Sequence, residues 1–281
     1  MLVNNKYKII EKIGFGMFGT IYKGENIRTK EQVAIKVETI SSDNKMLKHE
    51  TTVYQYLQNC KGIPHVKWYG KDKVYYYMVI ELLGESLQTL KTRAQSFSLH
   101  LTLKIGIQVI LLIKTIHDKG LIHRDIKPEN FLFGIDNKSQ LYIIDFGFCK
   151  SYLNDGEHKP QKKTTGLIGS PSYSSVTAHL YLEQSRRDDL ESVGYMLLYL
   201  HLGRLPWQNI DDDEERNQKI CSMKQHFIEN RKETEKETEI TNIPSLFIEY
   251  FKAIKTIKYE EEPDYLSLIE LMKREISSNQ S

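Results

Sequence analysis

The feature that most constrains this chain is a change of hydrophobic period at "ELLGES", residues 81–86. From residue 7 to about 80 the apolar residues alternate or come in short β-branched runs, as in "YKIIEKI", "TIYKG", "VAIKVETI" and "VYYYMVI", which is strand patterning. One stretch near 44–58 breaks the pattern, with Met46, Leu47, Val53, Tyr54 and Leu57 at roughly helical spacing. Beyond Gly84 the apolar segments at about 99–119 and 187–202 are too long for ordinary strands, and helical patterns follow near 214–230, 244–256 and 264–276. These periods predict an α+β, bilobal chain: a small antiparallel β-rich lobe over 1–80, a hinge at 81–84 and a larger, mainly helical lobe over 85–281. At 281 residues one small core would be crowded, which fits two lobes of a single domain.

Charge and cysteine content narrow the function classes. Lys plus Arg total 39 against 37 Asp plus Glu, so the formal charge of +2 gives no ground to expect a nucleic-acid or membrane partner. Cys60, Cys149 and Cys221 are widely spaced, with no CxxC, which disfavours a disulfide framework or zinc site and points to a reducing compartment. "MLVNNKYKII" lacks the apolar core of an export signal, so an intracellular address, cytoplasm and/or nucleus, is expected. The most apolar run, "IGIQVILLIKTI" at 105–116, is too short for a bilayer span, is broken by Gln108 and Lys114, and reads as a buried helix. The polar tracts "DDDEER" and "ENRKETEKETE" read as solvated helix faces or loops.

Chemistry concentrates in short motifs. "IGFGMFGTIYKG" places Gly14, Gly16 and Gly19 between two strand-like runs, where absent Cβ atoms let amides approach phosphate oxygens. A dinucleotide-binding turn would need a helix directly afterwards, and "TIYKG" is strand-like. In "VAIKV" the period of two puts Val33, Ile35 and Val37 on one face and Ala34 with Lys36 on the other. Glu50, on the helical stretch, is a candidate partner to hold the Lys36 ammonium near phosphates. Each motif alone has a bland reading as a turn, strand or surface helix.

Read with "HRDIKPEN" (123–130) and "YIIDFG" (142–147), their order and spacing resemble those of the protein kinases. That resemblance implies ATP and Mg2+ as cofactors. It makes Asp125 the acceptor of the substrate hydroxyl proton, Lys127 a neutraliser of γ-phosphoryl charge, and Asn130 and Asp145 the magnesium ligands. Lysine two positions after Asp125 is similar to serine/threonine kinases, whereas tyrosine kinases commonly read HRDLAARN, so Ser/Thr hydroxyls of protein substrates are the expected acceptors.

Further segments resemble the casein kinase 1 family over nearly the whole chain: "GIPHVKWYG", "ELLGESLQTL", "HRDIKPENFL", "EQSRRDDLESVGYMLLYL", "LPWQ" and "PDYLSL". Where other kinases carry Ala-Pro-Glu, Ser175, Val176 and Thr177 are similar to that family's Ser-Ile-Asn. The resemblance implies that Asp189 braces the catalytic loop and that adenine lies between Ile13, Ile21 and Ala34 above and Leu132 and Ile144 below. Backbone groups of Glu81 and Leu83 would then bond the adenine edge, with Ile80 as gatekeeper. Two departures touch substrate choice. The family reads upstream phosphate or acid through an arginine in "GTARYAS" and lysines after "LPWQG"; here "GSPSYSS" puts Ser172 at the arginine, and "LPWQN" runs into Asp211, Asp212, Asp213, Glu214 and Glu215. A weakened preference for primed or acidic substrates follows, with Lys162, Lys163, Arg186 and Arg187 as candidates for a residual anion pocket. The chain stops soon after its last helical pattern, so no regulatory tail is expected, and a monomer is. Rival readings are a catalytically silent kinase-like scaffold binding protein partners and a small-molecule kinase.

Overall fold

The computed structural model describes residues 1–16, 19–40, 46–208, 210, 215–229 and 243–278. They form two compact units: Met1–Ser86 with Phe131–Cys149, and Leu87–Asn130 with Lys150–Ser281. The acidic run from Asp211 to Glu214 and all of the polar tract after Glu229 lie outside the described residues.

The first unit is built on one antiparallel sheet of β1 (Leu2–Val3), β2 (Tyr7–Gly16), β3 (Gly19–Asn26), β4 (Gln32–Thr39), β5 (Val66–Lys71) and β6 (Tyr75–Glu81), in the order β1-β2-β3-β4-β6-β5. The alternation read in "VAIKV" decides its two faces. Val33 and Ile35 join Val3, Tyr7, Tyr77 and Val79 in a buried apolar cluster. On the opposite face the register sets Ile21 and Met78 beside Lys36, and Ile80 beside Ala34. Gly16 pairs with Gly19 to close the β2–β3 hairpin. Gly19 has φ +138°, and a Cβ there would lie 2.1 Å from the Val37 carbonyl oxygen, so only glycine fits. The helix expected near 44–58 is α1 (Met46–Tyr56), which buries Leu47, Glu50, Thr51, Val53 and Tyr54. Its first turn is anchored to the sheet by the Leu47 N–H, which donates to Glu38 Oε2 at 3.0 Å.

Residues 131–149 belong with this sheet unit, although the change of period placed everything after residue 84 in the helical lobe. Main-chain bonding is the reason. Strands Phe131–Phe133 and Leu141–Ile143 pair with each other, Leu132 bridges Ser86, Gly84 N–H donates to Phe133 O, and Ile143 N–H donates to Gly62 O.

The second unit holds α2 (Leu87–Ala94), α3 (Leu99–Asp118), α4 (Val176–His179), α5 (Arg186–Leu202), α6 (Arg216–Glu229), α7 (Ser245–Thr256) and α8 (Tyr265–Ser278). α3 packs against α5 and α8, and α5 against α7. α5 is entered through a Ser185–Asp188 capping box and left through Gly203 at φ +82°, and it is buried almost all round, which is why its sequence reads as one long apolar segment. α3 begins at Ser98, whose hydroxyl accepts the Leu101 N–H. At 20 residues it is longer than the apolar run read from sequence, and by length and composition it is enough to cross a membrane; half of its most apolar window is buried inside this fold. α2 and α4 carry little apolar periodicity, α2 burying Leu87 alone, and the sequence patterns do not announce them.

Candidate active site

In the first unit three ionisable side chains meet. Lys36 Nζ lies 2.7 Å from Glu50 Oε2 and 3.3 Å from Asp145 Oδ1, with side-chain exposures of 10%, 2% and 25% respectively. Burial pulls the Lys36 pKa down, but the charges of Glu50 and Asp145 outweigh it and the net shift is upward. Burial pushes the Glu50 carboxyl up to about 7, against the pull of Lys36. The two shifts compete for one proton, and it stays on Lys36, because that ammonium faces two carboxylates while Glu50 faces one cation. Helix α1 also fixes Asp145 by a route the sequence patterns do not show. Tyr54 Oη accepts the Asp145 N–H at 3.1 Å, and the Tyr54 ring meets Phe146 edge-on at 4.8 Å. His49 Nε2 lies 2.8 Å from the Cys149 carbonyl oxygen. Asp145 stands at φ +67°, a costly backbone region for a residue with a Cβ, and these contacts hold it there. Tyr54 is four residues after Glu50 on the same helix face, the one sequence signal that marks it.

The residues assigned to the nucleotide cradle occupy this same unit. Ile21 and Ala34 share the sheet face of Lys36. Ile13 falls in a register shift of β2 and is 48% exposed. A Cβ on Gly14 would make ordinary contact with Ile21, and one on Gly16 would meet nothing within 4 Å, so internal packing requires glycine at neither; the bare backbone leaves room for a ligand. Glu81 ends β6 with its N–H committed to His65 O. For the main-chain N–H and C=O of Leu83 no protein partner is found among the described residues, which fits an edge-binding role. Leu132 and Ile144 are partly buried.

In the second unit Asp125, 3% exposed, is held on every side. Lys127 Nζ donates to Asp125 Oδ2 at 2.6 Å and Ser170 Oγ donates to Oδ1 at 2.8 Å. Asn130 Nδ2 donates to the Asp125 carbonyl oxygen at 2.8 Å, and Lys127 reaches Ser170 Oγ at 3.3 Å. The loop is shaped by Asp189 of the buried helix α5. Its Oδ2 accepts the His123 N–H at 2.7 Å and its Oδ1 the Arg124 N–H at 2.8 Å, fixing Arg124 at φ +67°. Burial would raise the Asp189 pKa, yet the bond and charge of His117, with those of His123, bring the net shift below the usual carboxylate range. Gly169, at φ +104°, would place a Cβ 2.5 Å from Arg124 O, so glycine is required where the segment carrying Ser170 crosses the loop. Ser170 is absent from the motif reading; "GSPSYSS" set against "GTARYAS" shows it as a hydroxyl matching a hydroxyl.

The proposed anion pocket is corrected in part. Arg186 donates to Glu260 O at 2.9 Å and lies 4.7 Å over the Tyr152 ring, and Arg187 donates to Ile257 O at 2.7 Å. Both arginines are tied into the fold and are poorly placed to take up an anion. Lys162 and Lys163 use main-chain groups to pair with Glu183 and Leu182.

Each unit carries one oxygen donor of the kind that magnesium takes. Asn130 commits its amide nitrogen to Asp125, leaving its carbonyl oxygen, for which no protein partner is found among the described residues. Asp145 supplies a part-exposed carboxylate. Among the described residues no three His, Cys, Asp or Glu side chains form a metal cluster. A family model of the protein kinase domain matches residues 7–278. The chain therefore belongs to the protein kinase domain family, whose members are phosphotransferases acting on proteins and generally using ATP and Mg2+.

Proposed function

We propose that the chain is an active protein serine/threonine kinase of the casein kinase 1 type, passing the γ-phosphate of ATP to Ser/Thr hydroxyls, with a weakened preference for primed or acidic substrates. The observation that carries the reading is the state of Asp125: a nearly buried carboxylate aimed by Lys127 and Ser170, which both bond it, with Asn130 bonded to the main-chain carbonyl of the same residue. Phosphoryl transfer asks for position and charge neutralisation more than for covalent participation by the protein. Asp125 takes the proton of the attacking hydroxyl, and Lys127 neutralises charge on the moving group. Lys36, steadied by Glu50, would neutralise charge on the α and β phosphates. Magnesium, held by Asp145 and Asn130, would supply further charge neutralisation. The strand hairpin with Gly14, Gly16 and Gly19 covers the phosphates, and residues 81–84 act as hinge and adenine edge. The whole of 1–281 is read as one kinase domain, acting as an intracellular monomer on protein substrates, with neither nucleic acid nor membrane as partner. Ser172 at the arginine position and the engaged Arg186 and Arg187 support the altered substrate preference.

Radiolabel transfer from ATP to casein, with phosphoamino-acid analysis, tests this beside Asp125→Asn. Loss of the base should slow transfer by about 10²- to 10⁴-fold, with label on Ser and Thr in the wild type. Equal transfer by both proteins refutes the assignment and favours a silent scaffold.

A further inference from the structure

The second unit contains a lysine that the phosphotransfer scheme does not use. Lys224, on α6, is fully buried, which for an ammonium is costly unless its hydrogens are satisfied. Its Nζ donates to Ser174 O at 2.6 Å and to Pro171 O at 2.8 Å, and lies 3.2 Å from His179 Nε2. The cation sits over the faces of Tyr195 and Trp207, 4.6 and 5.3 Å from the ring centroids. Burial pulls its pKa down to about 7, opposed by the charge of Glu191. Beside it the Trp207 indole N–H donates to Ser172 O at 2.8 Å.

Three carbonyls of one short segment, 171, 172 and 174, are thus held from α6 and Trp207. That segment begins directly after Ser170, whose hydroxyl bonds Asp125 and receives Lys127. We propose that Lys224 is a positioning residue: it anchors the 171–174 backbone so that Ser170 stays over Asp125 and the protein acceptor is received in register. This rests on the kinase reading above. Lys224 is 54 residues from Ser170 in sequence and touches neither Asp125 nor Lys127, so its effect falls on handling of the protein acceptor and spares ATP.

The test uses the full chain, ATP and casein. Lys224→Met should lower kcat/KM for casein by about tenfold while KM for ATP stays within about twofold of wild type. Trp207→Phe, which removes one indole N–H and keeps an aromatic face, should lower casein kcat/KM by about threefold with the same split. Amide exchange over 170–174, read by mass spectrometry, should accelerate in both variants. Casein kcat/KM within about twofold of wild type in a folded Lys224→Met protein overturns the proposal, as does a parallel rise of both KM values. Should Lys224→Met lose its cooperative melt, Trp207→Phe decides, and wild-type values there overturn the idea. A wild type that labels no protein, with exchange over 170–174 still faster in the variants, defeats the kinase reading and leaves the anchoring role standing; unchanged exchange defeats the anchoring role.

Discussion

Tyr54→Phe removes one oxygen and isolates what α1 contributes to Asp145. The ring survives, so the edge-on contact with Phe146 at 4.8 Å survives with it. What disappears is the acceptor for the Asp145 N–H, a bond of 3.1 Å onto a residue at φ +67°. That backbone region costs about 1–3 kcal/mol in a residue other than glycine, so the bond works against a standing strain. A buried N–H left without a partner costs about 1–3 kcal/mol. The Asp145 side chain is 25% exposed, so water reaches the neighbourhood and the low end of that range applies, about 1–1.5 kcal/mol. If the loss falls on the placement of Asp145 in the transition state, kcat falls by about five- to tenfold. If it falls on global stability, Tm drops by about 2–6 °C. Casein phosphorylation and thermal melts on the same preparations separate the two. Tyr54→Ala, which also deletes the ring, should lose about 3–5 kcal/mol and serves as the upper bound. A Tyr54→Phe protein with wild-type kcat and wild-type Tm would show that the hydroxyl positions nothing.

Gly19→Ala should lower Tm clearly, since its Cβ would stand 2.1 Å from Val37 O at φ +138°; a change under about 1 °C contradicts that geometry. Asp189 binds fewer protons folded than unfolded because its pKa is lowered, so its stabilisation is complete above the ordinary carboxylate range and is lost as pH falls through the lowered value. Relative to its own stability at neutral pH, Asp189→Asn should therefore lose less than wild type below about pH 4, and parallel acid limbs in urea melts would exclude the effect. Phosphoserine priming of a test peptide should raise kcat/KM by well under about tenfold, roughly 1.4 kcal/mol; a larger gain ends the reading of Ser172 and the engaged arginines.

Several parts of the site are legible because the chemistry demands particular residues close together in sequence. Asp125, Lys127 and Asn130 fall within six positions and are brought together by one loop. Lys36 is legible through strand alternation, which puts it on the opposite face from Val33 and Ile35. Glu50 is legible only as a candidate partner on the following helical stretch, and in the structure its carboxylate stands 2.7 Å from Lys36 Nζ. Tyr54 and Ser170 escape, because a tyrosine on an amphipathic helix and a serine in a polar loop have ordinary alternatives that only contact geometry removes. The same holds for Arg186 and Arg187, whose charge suggests an anion pocket while in the structure each is tied by one donor to a backbone carbonyl.

Local pattern alone determined the strand-rich and helix-rich parts, the positions of six of the eight described helices to within a few residues, and the kinase motifs, because period, capping and short motifs depend on neighbours along the chain. Tertiary structure alone decided that 131–149 return to the sheet and that Lys224 grips a segment some fifty residues away. Those contacts satisfy buried polar groups at long sequence separation. Hydrogen-bond accounting of that kind has no counterpart in any window of the sequence.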